Sequence, residues 1–365
     1  MRRFPAFDPP EYVDWKPDPS LVRQFRATIE GDAERAAIIH ALSVEDTLGL
    51  YAGLLRARLH DIQLQRWVKG GVISKAWLGT GEEATTVGPV QALEPGTDLV
   101  APMIRNAAAC CELGMPLADM LRAYLGTDDS PSRGRDLHVG AARYGVLQPI
   151  SHVGDMVPVV AGAALTFALR QERRVALTWV GDGSTKTAAA HEGTNLAAVL
   201  RVPAIFIVQN NQVALGTRLD QHHLPHDFRD WPASYGIWGA QVDGNNVLDA
   251  YAATKIAADR CRRGEGPAML VAETFRMGGH ATHDEREARA TVSPELFAAW
   301  GKRDPIGLYE EYLKEAGRTA QELEAVEAGV TAEVERAAET ALASRERMPP
   351  GAAALEGVYA QGRGT

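Results

Sequence analysis

Apolar residues along this chain recur with two different periods, and the alternation between the two predicts the layout. Five short runs are apolar and bounded by turn residues: Asp98 to Pro102, Val175 to Val180, Ala204 to Val208, Trp238 to Val242 and Met269 to Glu273. Runs of this length read as strands, and their continuity suits burial on both faces. Around them the spacing becomes helical, over 106–125, 155–171, 186–201 and 247–263. Residues 43–64 are helical as well, with Ser43 as a cap and Asp46 three residues on. Strands alternating with helices predict an α/β fold with a mostly parallel sheet covered on both faces.

The ends read differently. Five prolines fall within the first 20 residues (Pro5, Pro9, Pro10, Pro17, Pro19). Proline removes a backbone donor and resists helix interiors and central strands, which predicts an extended N-terminal arm over 1–40. Its aromatics Phe4, Phe7, Tyr12 and Trp15 suit packing against a partner subunit. Residues 305–345 are rich in Ala and Glu and predict a helical C-terminal extension over 301–365. No repeat and no Ser/Gly linker divides 41–300, which reads as one domain. The polar stretch 128–135, with Pro131 and Gly134, predicts a loop beside the site.

Composition acts mainly by exclusion. The net charge of −9 argues against a nucleic-acid partner, which would need a basic face. No apolar run approaches the roughly 20 residues that span a bilayer, and the first residues hold no apolar signal core. Cys110, Cys111 and Cys261 form no disulfide framework, so a reducing, cytoplasmic setting is expected. Cys110 and Cys111 read as helix packing. His222, His223 and His226 fit no common zinc spacing and read as a solvated loop.

The candidate chemistry lies in two turns. One strand delivers Gly181-Asp182-Gly183 and the next delivers Asn210-Asn211, with one helix between them. In a parallel α/β sheet, ligands bind beyond the carboxyl ends of the strands. Asp182 offers a carboxylate, Asn211 an amide oxygen, and the Val213 carbonyl a third oxygen. That set suits magnesium, which takes a few hard oxygens and completes its shell with phosphate and water. Gly183 lets backbone approach a phosphate, and a helix starting near Ser184-Thr185 would aim amide donors at it. Each turn alone is commonplace: Asp243-Gly244-Asn245-Asn246 also contains Asn-Asn and reads as a plain turn. The joint spacing in a strand–helix–strand context is what makes the pair specific.

That pairing is the diphosphate-binding motif of thiamine-diphosphate enzymes. Residues 181–217 closely resemble the alpha subunit of the decarboxylating component of 2-oxo acid dehydrogenase complexes, of the pyruvate, branched-chain and acetoin types. The resemblance runs from about 45 to 310 and includes "GTGEEATTVG" at 79–88, "SRGRDLH" at 132–138, "VDGNN" at 242–246, "GEGPAMLVAETFRMGGH" at 264–280 and "KRDPI" at 302–306. It implies the three-layer thiamine-diphosphate-binding fold. It implies that Asp182, Asn211 and the Val213 carbonyl ligate Mg2+, and that Gly183 and Ser184 offer amides to the diphosphate. It implies that Arg105 clamps the phosphates with a bidentate fork. By the same likeness His280 reaches the diphosphate and the reaction centre from a mobile loop. Ser151 and Val153 would line the aminopyrimidine, and His138 would sit on a loop over the cofactor, with His152 nearby.

The family's ylid-forming glutamate comes from a separate beta subunit. The resemblance therefore implies an alpha2beta2 heterotetramer that acts on a small 2-oxo acid and serves a lipoylated acyltransferase. An acetoin dehydrogenase alpha subunit and a non-catalytic subunit with the same fold are the alternatives. No Gly-x-Gly-x-x-Gly follows a first strand, which argues against a nicotinamide-binding enzyme. Four departures from the pattern bear on specificity and control. Ile104 stands where tyrosine is usual, and Val213 where tyrosine is common. Lys75 and Trp77 occupy substrate-facing positions. Ala281 replaces a regulatory serine, which removes kinase control there. Glu82-Glu83 resembles the branched-chain type.

Overall fold

The computed structural model describes residues 1–225 and 227–356; His226 and the last nine residues lie outside them. The five apolar runs become β1 (Leu99–Ala101), β2 (Ala176–Gly181), β3 (Ala204–Asn210), β4 (Trp238–Asp243) and β5 (Ala268–Glu273). They form one sheet in the order β1-β2-β3-β5-β4, and every neighbouring pair is parallel. The main helices are α1 (Val44–Lys69), α2 (Glu83–Gln91), α3 (Met156–Leu169), α4 (Ala188–Leu200) and α5 (Val247–Arg262).

The strand pleat explains the continuous apolar runs. Leu177, Trp179, Ile205, Ile207 and Leu270 point to one face, into a core shared with α1, α2 and α5. Their neighbours Ala176, Val180, Phe206, Val208, Met269 and Val271 point to the other, under α3 and α4. The three central strands are thus buried on both faces, as a covered sheet requires, while the edge strand β4 is mostly half-buried. The result is the predicted three-layer α/β fold.

Helix α1 begins with the predicted capping box: Ser43 N donates to Asp46 Oδ2 (2.8 Å) and Asp46 N to Ser43 Oγ (3.1 Å). It crosses the core, so even its polar residues Arg58, His60 and Asp61 are buried. These groups hold the turn that precedes α2. Asp61 Oδ2 accepts from Gly79 N (2.8 Å) and Thr80 Oγ1 (3.0 Å). Arg58 donates to Glu83 Oε1 (2.5 Å) and to Asp304 Oδ1 (3.0 Å).

Three expectations need correction. The N-terminal arm is not extended: Pro10–Val13, Pro19–Glu30 and Ala33–His40 are helical. Pro10 and Pro19 open helices, where a missing N–H removes no bond, and Asp18 and Asp32 cap the second and third of them. The arm's aromatics pack on this chain itself. Tyr12 is fully buried under the Arg58 guanidinium, 4.7 Å from its ring centre, and Trp15 Nε1 donates to Lys302 O (3.1 Å). The helix expected over 106–125 is split into Ala108–Glu112 and Leu117–Leu125 by Gly114, at φ +90°, and Pro116. The C-terminal extension is helical as expected, in two pieces, Pro305–Glu315 and Ala320–Ala343, and the second lies along α1. The 128–135 loop docks on the end of that extension, where Asp128 N donates to Arg347 O (2.8 Å). Among the described residues no single helix is long and apolar enough to cross a membrane.

Candidate functional site

Strands β2 and β3 are paired up to Gly181 and Gln209, so the two predicted turns leave the sheet side by side. Asp182 is 2% exposed and Asn211 3%. Gly183 sits at φ −66°, a conformation open to any residue, so its glycine is needed for room and not for backbone freedom. A Cβ there would stand 2.3 Å from Ala214 Cβ, on the segment that follows Asn211. The helix expected from Ser184 starts later. Ser184–Lys186 forms a single tight turn, and α4 begins at Ala188, capped by the Thr187 hydroxyl accepting from Ala190 N (3.2 Å). Gly154, at φ +86°, lies so close to Thr187 that a Cβ would meet its Oγ1 at 2.2 Å. This contact brings the 151–153 segment beside the turn, with Ser151, His152 and Val153 exposed.

The oxygens of the predicted metal set are distinct in their surroundings. Asn211 Nδ2 donates to Glu82 Oε1 (2.8 Å), and Asn211 Oδ1 is buried with no partner among the described residues. Burial pushes the Asp182 carboxyl above its ordinary range, and the nearby His222 opposes that push. His222 Nε2 lies 3.2 Å from Asp182 Oδ2. The Val213 carbonyl accepts from Arg276 Nη1 (3.0 Å), which leaves it one lone pair. Arg276 also donates to Leu215 O (3.0 Å) and Gly278 O (3.1 Å), and so ties the segment after Asn211 to the His280 loop.

Arg105 and His280 meet across this space. Arg105 Nη1 donates to Leu78 O (3.0 Å), and its Nη2 lies 3.2 Å from His280 Nδ1. A guanidinium can only donate, so Nδ1 is the acceptor and neutral His280 carries its proton on Nε2. Burial first, then the positive charges of Arg105 and Arg276, lower the His280 pKa to about 4. The ring is therefore neutral near pH 7 and presents one N–H. Its loop is anchored by acidic side chains: Gly279 N donates to Glu285 Oε2 (2.6 Å) and Ala281 N to Asp284 Oδ1 (2.8 Å).

Other predicted residues stand further out. His138 is buried, pairs with Asp136 Oδ1 (2.8 Å), and lines a small cavity with Ile104, His60 and Tyr124. Lys75 lies over Trp77 (5.3 Å) at the edge of a separate cavity of about 400 Å³. Cys110 is buried in helix packing, as expected. The histidine cluster is not a solvated loop. His222 touches Asp182, while His223 is buried, stacks on Phe228 (4.0 Å) and bonds Lys186 (2.7 Å); His226 lies outside the described residues. The aromatic side chains after the cluster supply the apolar cover that its spacing did not reveal. Three polar residues of the site escaped sequence reasoning. Glu82 and Arg276 sit inside the quoted motifs, where proximity to Arg105 and His280 was a usable signal. His222 reaches Asp182 across 40 residues and gave none.

A buried carboxylate and an orphaned amide oxygen stand at adjacent strand ends with an arginine and a neutral histidine nearby, an arrangement with the donors and acceptors that an anionic group and a cation would need. The particular family follows from comparison: the model of the family described as "Dehydrogenase E1 component" matches residues 53–350, and the chain belongs to that family of thiamine-diphosphate-dependent enzymes of 2-oxo acid dehydrogenase complexes. It is 31% identical over 286 residues to the 2-oxoisovalerate dehydrogenase subunit alpha of Bacillus subtilis (strain 168), covering 78% of this chain and 86% of that relative. It is 30% identical over 346 residues to the pyruvate dehydrogenase E1 component subunit alpha-3, chloroplastic, of Oryza sativa subsp. japonica, covering 91% and 80%. A third relative is the 3-methyl-2-oxobutanoate dehydrogenase subunit alpha of Mycobacterium tuberculosis (strain CDC 1551 / Oshkosh), 31% identical over 289 residues, covering 77% and 74%.

Proposed function

We propose that this chain binds the magnesium diphosphate of thiamine diphosphate at the ends of β2 and β3. It acts with a beta subunit, as an alpha2beta2 heterotetramer, to decarboxylate a 2-oxo acid such as pyruvate or a branched-chain 2-oxo acid. The acyl group passes to the lipoyl group of an acyltransferase. The observation that carries this reading is the pair formed by the Asp182 carboxylate and the unpartnered, buried Asn211 Oδ1 on adjacent strand ends. A hard cation held there would satisfy both. The missing Cβ of Gly183 lets the Ala214 segment pack directly against the turn, which keeps Asn211 and the Val213 carbonyl close to Asp182.

When bound, thiamine diphosphate supplies the electron sink for decarboxylation. The chain's own residues hold it. Asp182, Asn211 and the free lone pair of the Val213 carbonyl take the cation. Arg105 neutralises phosphate charge, and His280 donates one hydrogen bond from Nε2 without adding a charge. Ser151 and Val153 are exposed, and a beta subunit that covered them would complete the aminopyrimidine pocket. The names of the relatives, which cite pyruvate, 2-oxoisovalerate and 3-methyl-2-oxobutanoate, support a 2-oxo acid over acetoin.

The test is calorimetric titration of the reconstituted heterotetramer with thiamine diphosphate, with and without Mg2+. Binding should require Mg2+ and disappear in Asp182→Ala. Retained affinity in that variant would show that Gly181-Asp182-Gly183 is only a turn.

A further inference from the structure

Glu82 is 1% exposed and precedes the first residue of α2, yet its side chain caps no amide of that helix. It crosses instead to the end of β3. Its Oε1 accepts from Gln209 Nε2 (2.5 Å) and from Asn211 Nδ2 (2.8 Å). Its Oε2 lies 3.6 Å from Arg105 Nη1 and has no hydrogen-bond partner. The circuit closes through the residue after Arg105: Asn106 Nδ2 donates to Gln209 Oε1 (2.9 Å) and to Thr86 Oγ1 (2.7 Å). Asn106 and Gln209 are fully buried.

We propose that Glu82 is the positioning residue of the cofactor site, fixing the amide of Asn211 oxygen-outward and holding the Arg105 guanidinium on the same carboxylate. The inference rests on the reading of Asp182 and Asn211 given above. A primary amide has two faces of nearly equal shape and opposite polarity. If Asn211 turned over, it would aim N–H groups at the cation. A carboxylate has no proton to give, so only the amide nitrogen can sit 2.8 Å from Glu82, and the oxygen must face away from it. The buried, unpartnered Asn211 Oδ1 is the acceptor that this constraint reserves for a cation. The same carboxylate balances Arg105, whose guanidinium among the described residues otherwise hydrogen-bonds only to the Leu78 and His280 carbonyls and the His280 ring, all neutral. One side chain thus sets both halves of the diphosphate grip, the cation side and the arginine side. Groups that orient metal ligands in this way typically change metal affinity about 10- to 100-fold when altered.

The experiment titrates Mg2+ into the heterotetramer at saturating thiamine diphosphate, for the parent, Glu82→Gln and the double variant Glu82→Gln/Asn211→Asp. Melting of the cofactor-free tetramers is measured in parallel. In Glu82→Gln the new N–H group faces either the Asn211 and Gln209 amide donors or the Arg105 guanidinium, donor against donor in both cases, so Mg2+ affinity should fall about 10- to 100-fold. In the double variant residue 211 is a carboxylate with an oxygen on each side, so an oxygen faces the cation whichever way the introduced amide turns. This variant should recover most of the loss. A purely structural role for Glu82 would lower the melting temperature of both variants and give no recovery, and that result overturns the proposal. Parental Mg2+ affinity in Glu82→Gln also overturns it, while loss of binding in Asp182→Ala would leave the function itself standing. If the parent shows no Mg2+-dependent binding at all, the underlying reading fails, and this inference fails with it.

Discussion

Gly183→Ala isolates the steric part of cofactor binding. The residue sits at φ −66° and ψ −37°, so alanine adds no backbone strain there. It adds one methyl, whose carbon would lie 2.3 Å from Ala214 Cβ. Carbon–carbon contact is comfortable near about 3.5 Å, so the two segments must part by more than about 1 Å. Overpacking of this kind costs about 1–3 kcal/mol. The clash is present without ligand too, and the segment relieves it by moving; because that segment carries Asn211 and the Val213 carbonyl, drawing it back to bind costs up to that amount. That cost converts to a Kd for thiamine diphosphate weakened by about 5- to 150-fold. Titration calorimetry of the Mg2+-loaded heterotetramer reads the effect directly. The built-in control is Ala214→Gly, which removes the opposing methyl and leaves Ala214 Cα as the nearest atom at 3.4 Å, an ordinary contact. The double variant should bind close to the parent. Unchanged affinity in Gly183→Ala, or no recovery in the double variant, refutes the claim that this close packing sets the positions of Asn211 and the Val213 carbonyl.

Two further outcomes follow from charge. His280 is held neutral down to about pH 4, by burial and then by Arg105 and Arg276. Its folded value is depressed below the ordinary value of about 6.5, so the stability it contributes is complete above that range and is lost as pH falls toward 4. Removing one of the two cations by Arg105→Ala should raise the His280 titration midpoint in NMR, and an unmoved midpoint would show that Arg105 does not face the ring. Arg58 is fully buried against Glu83, Asp304 and Asp8. Arg58→Ala leaves buried carboxylates without their shared cation and should destabilise by about 3–5 kcal/mol. That is a fall in Tm on the order of 10 °C, and a parental melting curve would rule it out.

The sheet was legible because burial on both faces leaves a signal that needs no partner: five apolar runs, each ending in turn residues, became the five strands with slightly shifted ends. The Asp182 and Asn211 turns were legible for the same reason, since strand ends fix where a following turn must sit. The N-terminal arm departs from its expected form because proline carries two opposite meanings. It breaks a helix interior but opens a helix, and Asp18 before Pro19 is the cue for the second. The split at Gly114 and Pro116 was visible as residues but lay inside an otherwise continuous apolar pattern. The site contacts that escaped are all long-range. Glu82 to Asn211 spans 129 residues, Arg105 to His280 spans 175 and His222 to Asp182 spans 40. Local spacing carries no information about such pairs until the topology is known.

Glu82 and Glu83 show how the site and the scaffold are joined. They are consecutive, both buried, and identical in chemistry, yet they serve opposite directions. Glu82 reaches to Asn211 and Arg105, while Glu83 binds Arg58 and accepts from Gly81 N (2.9 Å) with its other oxygen. The second contact closes the turn that carries the first. That turn also approaches the exit of β5 so tightly that a Cβ on Gly81, at φ +95°, would meet Phe275 O at 2.6 Å. Shortly after Phe275 begins the Met277-Gly278-Gly279-His280 run. The turn between Gly79 and Glu83 is therefore pinned by Asp61 and Arg58 from α1 on one side and wedged against the His280 segment on the other. A carboxylate meant to hold an amide in one of two nearly equal orientations must itself be immobile. Arg58 supplies that rigidity from the core, which explains why a fully desolvated arginine is retained there. It follows that damage at Arg58 should reach the cofactor before it unfolds the chain: Mg2+ affinity should decline at temperatures where the fold is still intact. A variant that lost stability but kept full Mg2+ affinity up to its melting point would separate the two carboxylates and break this link.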